Sequence, residues 1–204
     1  MRRKRRSRGG PSQINAKLTI PLVGEISGTW EPADTERRAA WELYVELVTR
    51  VPIEELGADE GVLRETLSSL HTFFNTTREI LRRYGPEVAP PMAPGHFSFG
   101  IIALTVLNRV LRPLLTSWHP RLKSYESQRP HGQDPVTHER AWQHADELRR
   151  EITGARLTLL SLARTLQEVA GVCDLIDLPA PRPPRPPGPG RAPDEPGGAG
   201  GPGS

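Results

Sequence analysis

Cys173 is the only cysteine among 204 residues. That rules out an internal disulfide framework and any Cys-x-x-Cys redox or zinc motif, and it makes a reducing cytoplasm the natural setting. Aromatic residues are scarce, at 5% of the chain, and none interrupts the basic run at the N-terminus. Without an interleaved ring that run has no platform for base stacking. No apolar stretch approaches the roughly 20 residues of a membrane-spanning helix. The longest, around Phe99 to Leu107, is far shorter, and no apolar segment follows the basic N-terminus to make a secretory signal. The expectation is a soluble, cytoplasmic chain with no transmembrane segment.

Chemical motifs are missing as well. No histidine has an acid three residues before it: Ser68, Ala93, Thr116, Gln128, Pro135 and Ala141 hold those places. The di-iron pattern Glu-x-x-His is therefore excluded. "HERAWQH" sets His138 and His144 six apart, so it is not HExxH. There is no GxSxG elbow, no glycine loop between a strand and a helix, and nothing beside Cys173 that marks an activated thiol. No metal and no cofactor are expected.

Charge is unevenly placed. Residues 1–17 carry seven basic side chains and no acid, while the remainder has 20 basic against 24 acidic residues. "MRRKRRSRGGPSQ" cannot bury a core, and residues 1–16 are expected to form a disordered basic arm. Arg2, Arg3, Lys4, Arg5 and Arg6 make it a candidate phosphate-binding element, for nucleic acid or an anionic lipid surface.

Residues 17–31 read as an extended arm. Leu18, Ile20 and Leu22 alternate with Lys17, Thr19 and Pro21, and Pro21 suits only an edge strand. Such an arm must rest on the domain or pair with another chain, a homodimer being one outcome. Residues 32–173 read as an all-α, antiparallel four-helix bundle. Asp34 is the expected N-cap of the first helix, whose inner face is Ala40, Tyr44 and Leu47. The second helix runs from about Asp59 to Tyr84, with Gly85 and Pro86 closing it. Its seam is Leu63, Leu67, Leu70, Phe74, Thr77 and Leu81. A proline-rich connection leads to the third, from about Phe97 to Ser127, with Ile101, Leu104, Asn108, Leu111, Leu115, Trp118 and Leu122 stepping by four and three. Asp134 and Pro135 open the fourth, which is expected to continue unbroken to Ala170 before Gly171. Residues 174–204 are rich in Pro and Gly and read as a disordered tail with polyproline II character.

Two prolines, Pro113 and Pro120, share one heptad position on the side of the third helix away from its seam, where they are expected to bend it around its neighbours. Asn108 lies in the seam and reads as a core polar residue that fixes register. Arg112 and His119 fit the Arg–four-to-six–His spacing and so resemble HEPN-type ribonucleases, although the position after the arginine, often polar in that family, is Pro113 here. The resemblance implies acid–base cleavage of RNA by an Arg and a His from each of two chains. The alternative is structural: Arg112 paired with a carboxylate of a neighbouring helix, and His119 packed beside Trp118.

"AAWELYVELVTR", "DEGVLRETLSSLHTFFNTTREILRRYGP" and "LNRVLRPLLTSWHP" together resemble an uncharacterised family of bacterial, mainly actinobacterial, helical proteins, over about Lys17 to Val172. The resemblance implies a bacterial cytoplasmic setting and no particular activity. Taken together, these readings favour a non-enzymatic interaction module, adaptor or regulatory partner with an unidentified protein partner. A ribonuclease using Arg112 and His119, and a nucleic-acid or membrane-surface binder using the basic arm, are the alternatives.

Overall fold

The computed structural model of the chain describes residues 10–20, 24–50 and 62–176. The basic arm through Arg6, Pro21, the Asp59 helix start and the tail after Ile176 lie outside the described residues. The fold is mostly helical, with a small three-stranded sheet.

Strands β1 (Ile14–Ile20) and β2 (Gly24–Trp30) pair antiparallel, from Ile14 opposite Trp30 to Ile20 opposite Gly24. The period of two has its physical counterpart: Ile14, Ala16 and Leu18 face inward, while Asn15 and Lys17 are exposed. The strand begins at Ile14, so it takes in residues that composition assigned to the basic arm. A third strand, β3 (His96–Phe97), comes from the proline-rich connection and adds in parallel at Thr29 and Trp30. Gly28 permits this closeness. A Cβ there would stand 2.7 Å from the Gly95 carbonyl oxygen. The arm therefore rests on its own domain, with α6 behind it: Ser161 Oγ donates to the Lys17 carbonyl at 3.0 Å.

Helix α1 (Asp34–Arg50) buries Ala39, Ala40, Leu43, Tyr44 and Leu47. Asp34 is its first helical residue, not its cap. Ala33 holds the cap position, its carbonyl accepting from the Arg37 N–H. Glu36 reaches back to the Ala33 N–H at 3.0 Å, the acidic half of a capping box. Helix α2 (Leu63–Tyr84) buries Leu63, Leu67, Leu70, Phe73, Thr77 and Ile80. Phe73 and Ile80 take the inner places expected of Phe74 and Leu81, which are half-buried. Gly85 (φ 65°) ends the helix with its N–H on the Leu81 carbonyl, as a C-terminal glycine does. No side chain of α2 caps its start. Glu139 does so from 76 residues away, accepting from Leu63 N at 2.7 Å and Arg64 N at 3.1 Å.

The third predicted helix is continuous from Phe99 to Glu126 but changes pitch inside. Helix α3 (Phe99–Val106) passes through one π-turn, Leu107–Leu111, into α4 (Arg112–Glu126). The Arg112 N–H bonds the Leu107 carbonyl, five residues back. Pro113 explains the wide turn, since it has no N–H and its ring would collide with the carbonyl four residues earlier. Adding one residue to a turn rotates the upstream helix by about 100° against the downstream part. Leu111, Leu115, Trp118 and Leu122 stay buried as the spacing requires. Upstream, Ile102, Ala103, Val106 and Leu107 turn in, while Ile101, Leu104 and Asn108 turn out. Asn108 is thus a surface residue, which corrects its expected place in the core. Pro113 and Pro120 are both exposed.

The fourth predicted helix is two helices. Asp134 caps α5 (Pro135–Arg140), its Oδ2 accepting from Thr137 N at 2.8 Å and from the Thr137 hydroxyl at 2.9 Å. After four turn residues α6 (Ala145–Ala170) begins, and Gly171 in the left-handed region (φ 68°, ψ 37°) ends it. Helix α6 packs on α1 and β1, α1 on α2, and α2 on α4. Leu70, Leu111 and Leu159 belong to one buried apolar cluster. Phe99–Glu126 is the one helix among the described residues long and apolar enough to cross a membrane, and 56% of its apolar window lies inside the protein.

Gly100 packs where a side chain has no room. A Cβ there would lie 2.5 Å from the Ala89 Cβ and 2.9 Å from the Val88 carbonyl oxygen. Gly100→Ala gains about 1 kcal/mol of helix propensity but overpacks a site whose neighbour includes rigid backbone, at about 1–3 kcal/mol. The expected result is a net loss in urea unfolding. A more stable variant would show that the loop yields freely.

Candidate functional site

The four residues between α5 and α6 shape one side of an open cavity. Ala141 N–H bonds the carbonyls of Thr137 and His138, Trp142 N–H bonds Glu139, and Ala145 N–H bonds Trp142. This turn carries the Trp142 ring inward, to 6% exposure. There it stands edge-on to Trp118, with ring centres 5.8 Å apart, and stacks on Tyr125 at 5.6 Å. Tyr125 stacks in turn on His138, 4.1 Å away and within 3° of parallel. Its hydroxyl donates to the His138 carbonyl at 2.8 Å, which fixes both rings. Apolar and quadrupolar attraction thus break a helix that propensity alone would continue.

Above this cluster lies an open groove of about 740 Å³. One wall is the outer face of α4, with Arg121 and Ser124, and Gln128 just beyond its end; the other is the turn from Ala141 to His144. No Asp or Glu lines it. The Arg121 guanidinium rests 5.1 Å over the Trp118 ring. Among the described residues it has no carboxylate within ion-pairing distance. Trp118 Nε1 donates to Glu151 at 2.7 Å and Trp30 Nε1 to Glu36 at 3.1 Å, but the Trp142 indole N–H meets no acceptor among the described residues. His144, at the groove's edge, is held by Glu147 at 3.1 Å and occupies the N-cap position of α6 without capping it. Nothing in the sequence reading pointed here. The available signal was two aromatics seven apart, Trp118 and Tyr125, followed by Trp142 and His144 beyond a proline-led helix.

The residues singled out from sequence fall elsewhere. Arg112 is exposed. His119 is half-buried and faces α2, where it hydrogen-bonds the Leu67 backbone and stands edge-on to His71 at 5.6 Å. Its Nε2 is enclosed without a partner. It is Arg64, not Arg112, that pairs with a carboxylate across helices here: Arg64 Nε and Nη2 both donate to Glu126, at 2.8 and 2.5 Å. The phosphate-binding candidates Arg2, Arg3, Lys4, Arg5 and Arg6 lie outside the described residues. Among the described residues, no group of three or more His, Cys, Asp or Glu side chains could hold a metal ion.

No family model, curated protein or solved structure matches the chain. Geometry alone therefore supports the functional reading.

His119 also makes a pH prediction. Burial lowers its pKa below the ordinary 6.5, the hydrogen bond to Leu67 opposes this, and the Arg64 charge and His71 lower it further. Below about pH 6.5 an unfolded chain takes up a proton that the folded one keeps off. The contribution is therefore complete above that pH and is lost as pH falls toward the folded pKa. His119→Gln is expected to flatten the drop in urea midpoint between about pH 7.5 and 5.5. An identical slope in the two proteins would place the proton uptake on another group.

Proposed function

We propose that the chain is a non-enzymatic helical interaction module, an adaptor or regulatory partner acting through protein–protein contacts in the cytoplasm. In this reading α1, α2, the α3–α4 helix and α6 form an antiparallel four-helix bundle that serves as the rigid body. The observation that carries the proposal is the outward seam of α3. Ile101 is 37% and Leu104 45% exposed. With Asn108 they keep the four–three spacing of a helix–helix contact, yet the π-turn presents them to the surface. Core-type spacing on an outer face is what a second helix would read, and Asn108 would set its register. The groove beside Trp142 offers a second contact surface.

The test uses the pair Ile101→Ser and Leu104→Ser in the full chain. Neither residue is buried, so the double variant should fold with unchanged far-UV circular dichroism. It should retain at least about tenfold less of the partner recovered by affinity purification with the unmodified chain, as loss of two central apolar contacts implies. Full retention by a folded double variant would refute the α3 surface.

A further inference from the structure

We propose that the groove between α4 and the Ala141–His144 turn binds a Glu or Asp side chain on an extended segment of a partner protein, with Arg121 as the principal contact and the Trp142 indole N–H as the second. The inference rests on the protein-contact reading and names the chemistry of one partner. Charge complementarity carries it. Among the described residues, the cavity has a guanidinium without a carboxylate, an indole N–H without an acceptor, and no acid in its lining. Arg121 lies 5.1 Å over the Trp118 ring, and that ring's centre is 5.8 Å from the centre of Trp142. Arg121 and Trp142 both line this one cavity.

Stacking on Trp118 limits the rotamers of Arg121 before any ligand arrives, which leaves less entropy to lose on binding. A planar guanidinium also matches both oxygens of a carboxylate. The start of α6 borders the groove, but Asp146 and Glu147 in its first turn offset the positive end of its backbone dipole, so the attraction rests on Arg121. The volume of about 740 Å³ suits a short peptide segment, and Pro120 and Ala141 supply apolar wall for its neighbouring side chains.

A nucleic acid fits less well. Phosphate chains are held by rows of cations, and this groove has one arginine. Base binding needs a free aromatic face, whereas Tyr125 is sandwiched between His138 and Trp142.

The experiment titrates the full-length chain with the blocked peptide Ac-Ala-Pro-Glu-Pro-Ala-NH2 and with its glutamine counterpart. The readout is the nitrogen–proton NMR peak of the Trp142 indole, assigned by its disappearance in Trp142→Phe. The glutamate peptide should shift that peak and bind about tenfold more tightly than the glutamine peptide, as a charge-assisted contact implies. Arg121→Gln, whose side chain is exposed, should keep the fold and abolish the difference. Equal affinity for the two peptides, or a preference that survives Arg121→Gln, would overturn the proposal. So would tighter binding of decauridylate RNA or inorganic phosphate at the same peak. If the glutamate preference is absent while the Ile101/Leu104 variant still loses its partner, this groove fails and the interaction-module reading stands.

Discussion

Glu36→Ala is expected to remove about 3–6 kcal/mol of stability. The carboxylate is 3% exposed and holds three donors from three parts of the chain. Oε1 accepts from the Trp30 indole at 3.1 Å and from the Phe99 N–H at 2.8 Å, and Oε2 from the Ala33 N–H at 3.0 Å. Alanine leaves the buried Trp30 and Phe99 donors without an acceptor, at about 1–3 kcal/mol each, and removes the cap bond to the N–H of exposed Ala33. A domain of this size has only about 5–15 kcal/mol in total. Glu36 joins the end of β2, the start of α1 and the start of α3, so its loss loosens the sheet and two helices together. Glu36→Gln should fall between the two. Its one acceptor oxygen can replace Oε1, but its amide then faces the Ala33 N–H. Urea unfolding followed by tryptophan fluorescence measures both variants. A Glu36→Ala protein within 1 kcal/mol of the unmodified chain would mean that water or a rearranged backbone meets those donors.

Trp142→Ala should cost about 3–5 kcal/mol, the range for emptying a buried aromatic site. In a chain of this size that corresponds to a fall of roughly 6–20 °C in Tm. The indole touches Trp118, Tyr125 and His144, and it holds the turn that separates α5 from α6. Trp142→Phe keeps most of the apolar area and should retain most of the stability, while losing the indole N–H. Thermal unfolding by circular dichroism separates the two. If alanine and phenylalanine were equally tolerated, the aromatic cluster would not be what ends α5, and the groove would lose its floor.

Glu36, Glu139 and Trp142 share a property that hid them from sequence reading. Each acts on groups far along the chain: Phe99 lies 63 residues from Glu36, and Leu63 lies 76 residues from Glu139. No spacing rule of three, four or seven reports such a partner. Asp134 is the contrast. It caps α5 through Thr137, three residues on, and that relation could be read directly. The Arg112–His119 spacing shows the opposite error. Seven residues apart looked like one strip, but the surroundings divide the pair: Arg112 is exposed, and His119 is turned against α2.

Sequence alone determined the features that depend on bonds and side chains within about one turn. Those are the inward alternation of Ile14, Ala16 and Leu18, the stops at Gly85 and Gly171, the cap at Asp134, and the apolar stripes that bring Leu70, Leu111 and Leu159 into one interior. Tertiary structure decided which way α3 faces, where the last long helix breaks, and which polar groups remain available to a ligand. A π-turn at Pro113 rotates one half of a helix against the other, and only packing on α1, α2 and α6 selects the half that is buried. Trp142 leaves its helix because two rings of α4, Trp118 and Tyr125, are arranged to receive it. Among the described residues no carboxylate comes within reach of Arg121, a property of assembled surfaces that no local pattern encodes.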